Sequence, residues 1–175
     1  MTSSSGKNDS YQSSEFQENL EILRQIFFFS SIPLEKLKIF AYICTRETFK
    51  QDEYIFKQGE DDGQAFYILS GKTRLIHTDE NGDEEIRDYE TGEFLGGITL
   101  LSDTLRFFSL KALEETTCLI ITREKFQSAI QQYPEVIPRI VMPLLERISS
   151  WEGHFLDSRE KGCQTCRNRL GVSLI

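Results

Sequence analysis

The chain has 175 residues, 39% of them apolar, with 28 Asp plus Glu against 20 Lys plus Arg and a formal net charge of -8. That length fits one domain with a proper core and leaves no room for a second full one. An acidic chain repels nucleic acid unless a basic face is segregated, and the one basic cluster, Arg159, Lys161, Arg167 and Arg169, sits in the tail, so direct nucleic-acid binding is not expected. Apolar runs such as IFFF (26–29) and CLII (118–121) are too short to span a bilayer, and the start carries no export signal; a cytoplasmic protein without a membrane partner is expected.

Residues 1–14 are polar and small, and read as a disordered leader. Phe16, Leu20, Leu23 and Phe27 then recur at helical spacing, with Ser14 and Gln17 suited to a capping box. After FFFSSIP, Pro33 precedes a second helical pattern in Leu34, Leu37, Phe40, Ala41 and Cys44.

From Glu47 to Thr122 the period changes. Short strands (ETFK, YIFK, QAFYILSG, KTRLIHT, EIRDYE, RFFSLKAL, TTCLIIT) are separated by glycines, and DENGDE signals a hairpin with Asn-Gly at its turn. The expected fold class is mainly β: an antiparallel β-roll, of the double-stranded β-helix or jelly-roll kind, flanked by N- and C-terminal helices.

Thr122 is placed to cap a helix over REKFQSAIQQY. Pro134 opens another, in which Ile137, Val141, Leu144, Ile148, Trp151 and Phe155 form a seam of about two and a half heptads. That seam either packs on the chain's own roll or joins two copies in a homodimer through residues 134–155. Pro143 predicts a kink or break near Met142, because an interior proline removes a helical hydrogen bond.

Cys44 and Cys118 fall in apolar periodic segments and read as small hydrophobes. Cys163 and Cys166 form a CxxC in the tail, 158–175, which lacks the further ligands that a zinc site needs and is expected to be dispensable for folding. Only His77 and His154 are present, so a jelly-roll metalloenzyme has no ligand set, and no nucleophile elbow, Walker loop or HExxH pattern appears. Neither catalytic residues, metal ligands nor a cofactor are expected.

Chemistry concentrates in GGITLLSDTLRFFSLKA, 96–112, where one arginine stands among apolar residues. A charge in such surroundings is costly without an anionic partner, so Arg106 either neutralises a carboxylate of its own chain, Asp103 or Glu93, or awaits a ligand.

The layout, with EYIFKQGEDDGQAFYILSGKTRL at its centre, resembles the cyclic nucleotide-binding domain of catabolite-activator and fumarate–nitrate-type regulators and of cAMP-dependent kinase regulatory subunits. The resemblance spans about Leu23 to Phe155, within a domain of residues 15–157. It places the family's phosphate-binding cassette at 94–109 and implies a ligand-binding set of Gly96, Gly97, Ile98, Arg106, Phe107 and Phe108. Gly96 matches the family's glycine. Arg106 matches the arginine that pairs with the cyclic phosphate, nine residues after Gly97, which replaces the glutamate that holds the sugar 2′-hydroxyl. Phe107 and Phe108 stand where the family has small residues. The implied function is a regulatory module sensing a small anionic ligand or cyclic nucleotide, with a response through the C-terminal helix. A degenerate roll serving as a protein-contact scaffold is the alternative, as is the sensor part of a transcription regulator lacking its DNA-binding part. If the cassette is open, Arg106→Leu should keep or gain stability, and Gly97→Glu should strengthen cyclic nucleotide binding; an internal pair predicts a destabilised Arg106→Leu.

Overall fold

The computed structural model describes residues 5–157, with side chains described for 14–150. Helix α1 (Ser5–Gln25) and helix α2 (Leu34–Ile43) lead into eight strands: β1 (Thr45–Phe49), β2 (Tyr54–Phe56), β3 (Gln64–Ser70), β4 (Lys72–Asp79), β5 (Gly82–Glu90), β6 (Phe94–Leu95), β7 (Ser109–Ala112) and β8 (Thr116–Thr122). Helix α3 (Arg123–Gln132), a 3-10 turn (Pro134–Val136) and helix α4 (Ile137–Asp157) follow. The strands form two four-stranded sheets, in the orders β1-β8-β3-β6 and β2-β7-β4-β5, all described pairings being antiparallel. The expected mainly β roll with helical flanks is the architecture found.

Alternation along β3 and β8 builds two cores at once, because successive side chains of a strand point to opposite faces. Phe66 and Ile68 of β3, with Cys118 and Ile120 of β8, enter the roll interior beside Phe56, Leu75 and Leu110. Ala65 and Ile121 face the other way, onto the helices, where Phe28, Phe29, Phe40, Phe126, Val136 and Ile140 are buried. Burial pushes the Cys44 and Cys118 thiols up to about 12, as suits small hydrophobes rather than nucleophiles.

Several expectations shift by a few residues. Helix α1 begins at Ser5, so Ser14 is interior rather than a cap and the backbone of residues 5–14 is helical. Once Phe16 to Leu23 are anchored, each added residue costs no new nucleus, so the helix extends into a polar segment despite the low helix propensity of its Ser, Gly, Asn and Asp residues. Strands β4 and β5 are joined through Glu80 and Asn81, with Asp79 opposite Gly82, so the hairpin turns one residue earlier than Asn-Gly. The Asp79 carboxylate accepts the Asn81 N–H at 2.7 Å and holds the turn there. Strand β7 starts at Ser109, since Arg106 to Phe108 belong to the cassette and not to the ladder. Thr122 caps α3, its side chain accepting from Lys125 N–H at 3.5 Å.

Pro134 opens only the 3-10 turn, and α4 continues as one helix through Pro143. Of the kink or break expected near Met142, a break does not occur. The helix is seated before the proline by Val136 and Ile140, each 0% exposed, so one lost bond does not end it. No described helix is long and apolar enough to cross a membrane. Cys163 and Cys166, and the side chains of Trp151 and Phe155, lie outside the described residues.

Candidate functional site

The site forms where the β2–β3 turn meets the segment between β6 and β7. Gly96 opens it in the left-handed region at φ +82, a conformation that favours glycine. A Cβ there would stand 2.8 Å from both Arg106 Nη1 and the Gln64 carbonyl oxygen, so the absence of a side chain also allows the arginine to lie close. A 3-10 turn (Gly97–Leu100) follows. Thr99 fastens it, its hydroxyl lying 2.7 Å from the carbonyls of both Gln64 and Gly96.

Arg106 is fixed at its backbone and at its head. Its N–H donates to the Glu60 carbonyl and its carbonyl accepts from Gly59 N–H, both at 2.8 Å. Its Nη2 donates to Asp62 Oδ1 at 2.8 Å and Oδ2 at 3.0 Å, and to the Gln64 carbonyl at 2.6 Å, while Nε reaches Asp62 Oδ2 at 3.3 Å. The guanidinium also lies over the Phe56 ring, 4.0 Å from its centroid. The residue is 8% exposed. The internal carboxylate is thus Asp62, not Asp103 or Glu93: Asp103 pairs with Arg123 and Glu93 with Arg87. Among the described residues, the side-chain hydrogen bonds of Arg106 use the Nε and Nη2 edge, and Nη1 lies beside Gly96.

Beside this pair lies a hollow of about 510 Å³ formed by Gln58, Gly59, His77 and residues 105–108. Phe108 is half-buried and packs on the roll interior, its ring edge-on to His77 at 5.7 Å. Phe107 points outward, 72% exposed, next to Leu105 at 59%. His77 Nδ1 lies 3.3 Å from the Phe107 carbonyl, and Gln58 makes paired bonds of 2.9 Å to the Thr78 backbone, which tie the β2–β3 turn to β4.

Of the expected residues, Arg106, Phe107 and Phe108 meet at the hollow and Gly96 lies against Arg106. Gly97 and Ile98 do not line it. Ile98 is 58% exposed, and a Cβ on Gly97 would come within 2.9 Å of the Phe28 ring and 3.0 Å of the Phe94 ring. The space behind Gly97 is therefore filled from the N-terminal segment. Asp62, Gln58, His77 and Phe28 were not in the expected set. The one signal in the sequence was GEDDG, a doubled acid in a glycine-bounded turn leading into an apolar strand.

A second charged knot adjoins the first. Arg123 pairs with Asp61 and with Asp103, the latter at 2.8 Å, and its Nε donates to the Thr99 carbonyl at 2.6 Å. The guanidinium holds the Asp61 carboxyl below its usual range. Among the described residues, no group of His, Cys, Asp and Glu is arranged to hold a metal ion.

Residues 46–133 match the family described as the cyclic nucleotide-binding domain. The cyclic AMP receptor protein of Thermus thermophilus is 30% identical over 149 residues, covering 84% of this chain and 67% of that protein. Mouse cGMP-dependent protein kinase 2 is 27% identical over 123 residues, 69% of this chain; the chain spans only 16% of the kinase's length. The crystal structure of the Thermus thermophilus catabolite activator protein superposes with a TM-score of 0.62 at 26% identity, covering 75% of this chain and 62% of that one.

Proposed function

The chain belongs to the cyclic nucleotide-binding domain family and is a regulatory sensor domain of that kind; from this we propose that it senses a small, singly charged, nucleotide-like ligand, whose anion meets Arg106 and whose ring system lies on Phe107, Phe108 and His77. The carrying observation is that Arg106 lines the hollow while Asp62 holds only its Nε and Nη2 edge. The Nη1 edge remains for an anion, and charge-assisted contacts in a sheltered site are the strong ones. Asp62 both orients the guanidinium and competes for it. Ligand binding is thereby set against an existing ion pair, which weakens simple anions most, since they gain nothing from the aromatic lining.

A thermal-shift screen against cAMP, cGMP and inorganic phosphate tests this. Cyclic nucleotide should stabilise the wild type by about 2.7 kcal/mol at a hundredfold excess over the dissociation constant. Asp62→Asn should raise cyclic nucleotide affinity about tenfold, equivalent to about 1.4 kcal/mol, as one charged competitor is removed. Silence of both proteins toward every compound would refute the ligand reading and leave the protein-contact scaffold, which the internal neutralisation of Arg106 favours.

The response is assigned to α4 and to pairing of two copies through residues 134–155. Ile140 and Leu144 turn inward to the chain's own core, whereas Ile137 and Ile148, each 39% exposed, and Leu145, 49% exposed, face out. An apolar stripe of this kind marks an interaction surface. Light scattering at micromolar concentration should report a dimer; a monomer at high concentration would end the proposal.

A further inference from the structure

Arg123 is the first residue of α3, where a positive charge is opposed by the helix dipole. Something else must hold it there. Its side chain is 16% exposed and joins two segments at three points: Asp61 of the β2–β3 turn, and the Thr99 carbonyl and Asp103 of the segment between β6 and β7. Its backbone N–H donates to the Gly63 carbonyl at 2.6 Å. A Cβ on Gly63 would meet Arg123 at 3.3 Å, so glycine lets the two approach.

Asp61 and Asp62 are neighbours on one turn, yet each serves a different arginine. Asp62 holds Arg106 at the hollow, and Asp61 holds Arg123 at the start of α3. The field of Asp62 also reaches Arg123, adding to the effect of Asp61 and Asp103 in keeping it charged. Beneath this polar layer, Leu100 of the 3-10 turn shares one apolar cluster with Phe126 and Ala129 of α3 and Ile140 of α4. Movement of the cassette therefore meets α3 through Arg123 above and through that cluster below.

We infer that Arg123 is the positioning residue that ties the state of the cassette to the seating of α3 and, through it, of α4. What displaces Asp62 in the cell rests on the ligand reading given above; the tie itself does not. Changing the Asp62 contact shifts the β2–β3 turn, Asp61 moves with it, and Arg123 carries the shift into the helix.

A double-mutant cycle on the full chain tests the tie without any ligand. Asp62→Asn weakens the hold on Arg106, and amide hydrogen exchange is followed across α3 and α4. In the Arg123 chain, Asp62→Asn should speed exchange of α3 amides by at least about fivefold, and Arg123→Gln alone should do the same. Combined, the two should give little more than either, because coupled sites are non-additive. Effects that multiply independently, or an Arg123→Gln change confined to the first turn of α3, would overturn the inference. Arg123→Lys, which keeps charge without the fork, should restore part of the protection; it replaces Arg123→Gln in the cycle if that variant does not fold.

A ligand arm separates this tie from the sensing reading. Trp151, the chain's single tryptophan, lies on α4, and its fluorescence reports on that helix. With cAMP or cGMP, whichever shifts the wild type, Arg123→Gln should keep the dissociation constant within about threefold while losing at least half of the fluorescence change. An unchanged response with unchanged affinity counts against Arg123. If neither nucleotide binds the wild type, the sensing reading falls and the exchange cycle alone decides the tie.

Discussion

Arg106→Leu should lower the unfolding free energy by about 3 kcal/mol, at the low end of the cost of removing one member of a buried ion pair. For a chain of this size that is a fall in melting temperature of about 6 to 12 °C. The substitution strands Asp62, whose side chain is only 17% exposed, and removes one of two side-chain donors to the Gln64 carbonyl, which keeps the Thr99 hydroxyl. This inverts the expectation for an open cassette, in which leucine would relieve an unpartnered charge. The double variant Arg106→Leu, Asp62→Leu should recover most of the loss, since apolar replacement of both partners is often near neutral. The Gln64 carbonyl still loses one of its hydrogen bonds, so recovery should fall slightly short of complete. Urea denaturation of the wild type, Arg106→Leu, Asp62→Leu and the double variant measures the cycle, and an Arg106→Leu variant as stable as wild type would show that the pair does not hold the fold.

Phe28→Ala should cost about 3 to 5 kcal/mol, the usual range for emptying a buried phenylalanine site. Phe28 is 0% exposed, with ring centroids of Phe29, Phe94 and Phe126 at 4.9, 5.8 and 6.0 Å. The same ring decides Gly97→Glu. Instead of strengthening cyclic nucleotide binding, the glutamate should destabilise the chain by about 1 to 3 kcal/mol through overpacking, because its Cβ would stand 2.9 Å from Phe28. In the Phe28→Ala background its added cost should fall, as the nearer ring is then gone and only the Phe94 contact at 3.0 Å remains. Melting curves that show Gly97→Glu to be neutral in the intact chain, with an unchanged cost after Phe28→Ala, would contradict this packing.

Strand β3 was legible in the sequence because QAFYILSG alternates and ends in a turn glycine, and its two faces do feed two cores. The cassette was legible through its glycine-to-arginine spacing. Asp62 as the partner of Arg106 was not, since no strand or helix period relates residues 44 apart; only the closure of the β2–β3 turn onto the cassette joins them. Within FFFSSIP three phenylalanines look alike, yet Phe28 and Phe29 are fully buried and Phe27 is not. Which ring plugs the cassette depends on where α1 ends and the chain turns, and a two-residue strand such as β6 has too few side chains to show a period.

The aromatic cluster around Phe28 has a kinetic meaning as well. It joins rings from the N-terminal segment, from β6 and from α3, and β1 pairs with β8, Thr45 lying opposite Ile120. Contacts between segments so far apart in sequence form late and slowly, because the intervening chain must be ordered before they can close. During synthesis, the N-terminal helices must wait, with their phenylalanines uncovered, until α3 has left the ribosome. The strand edge of β1 is open for the same interval. Folding of this chain is therefore a race between closure of the roll and association of its exposed early half, and conditions that slow elongation lengthen the hazardous interval rather than shorten it.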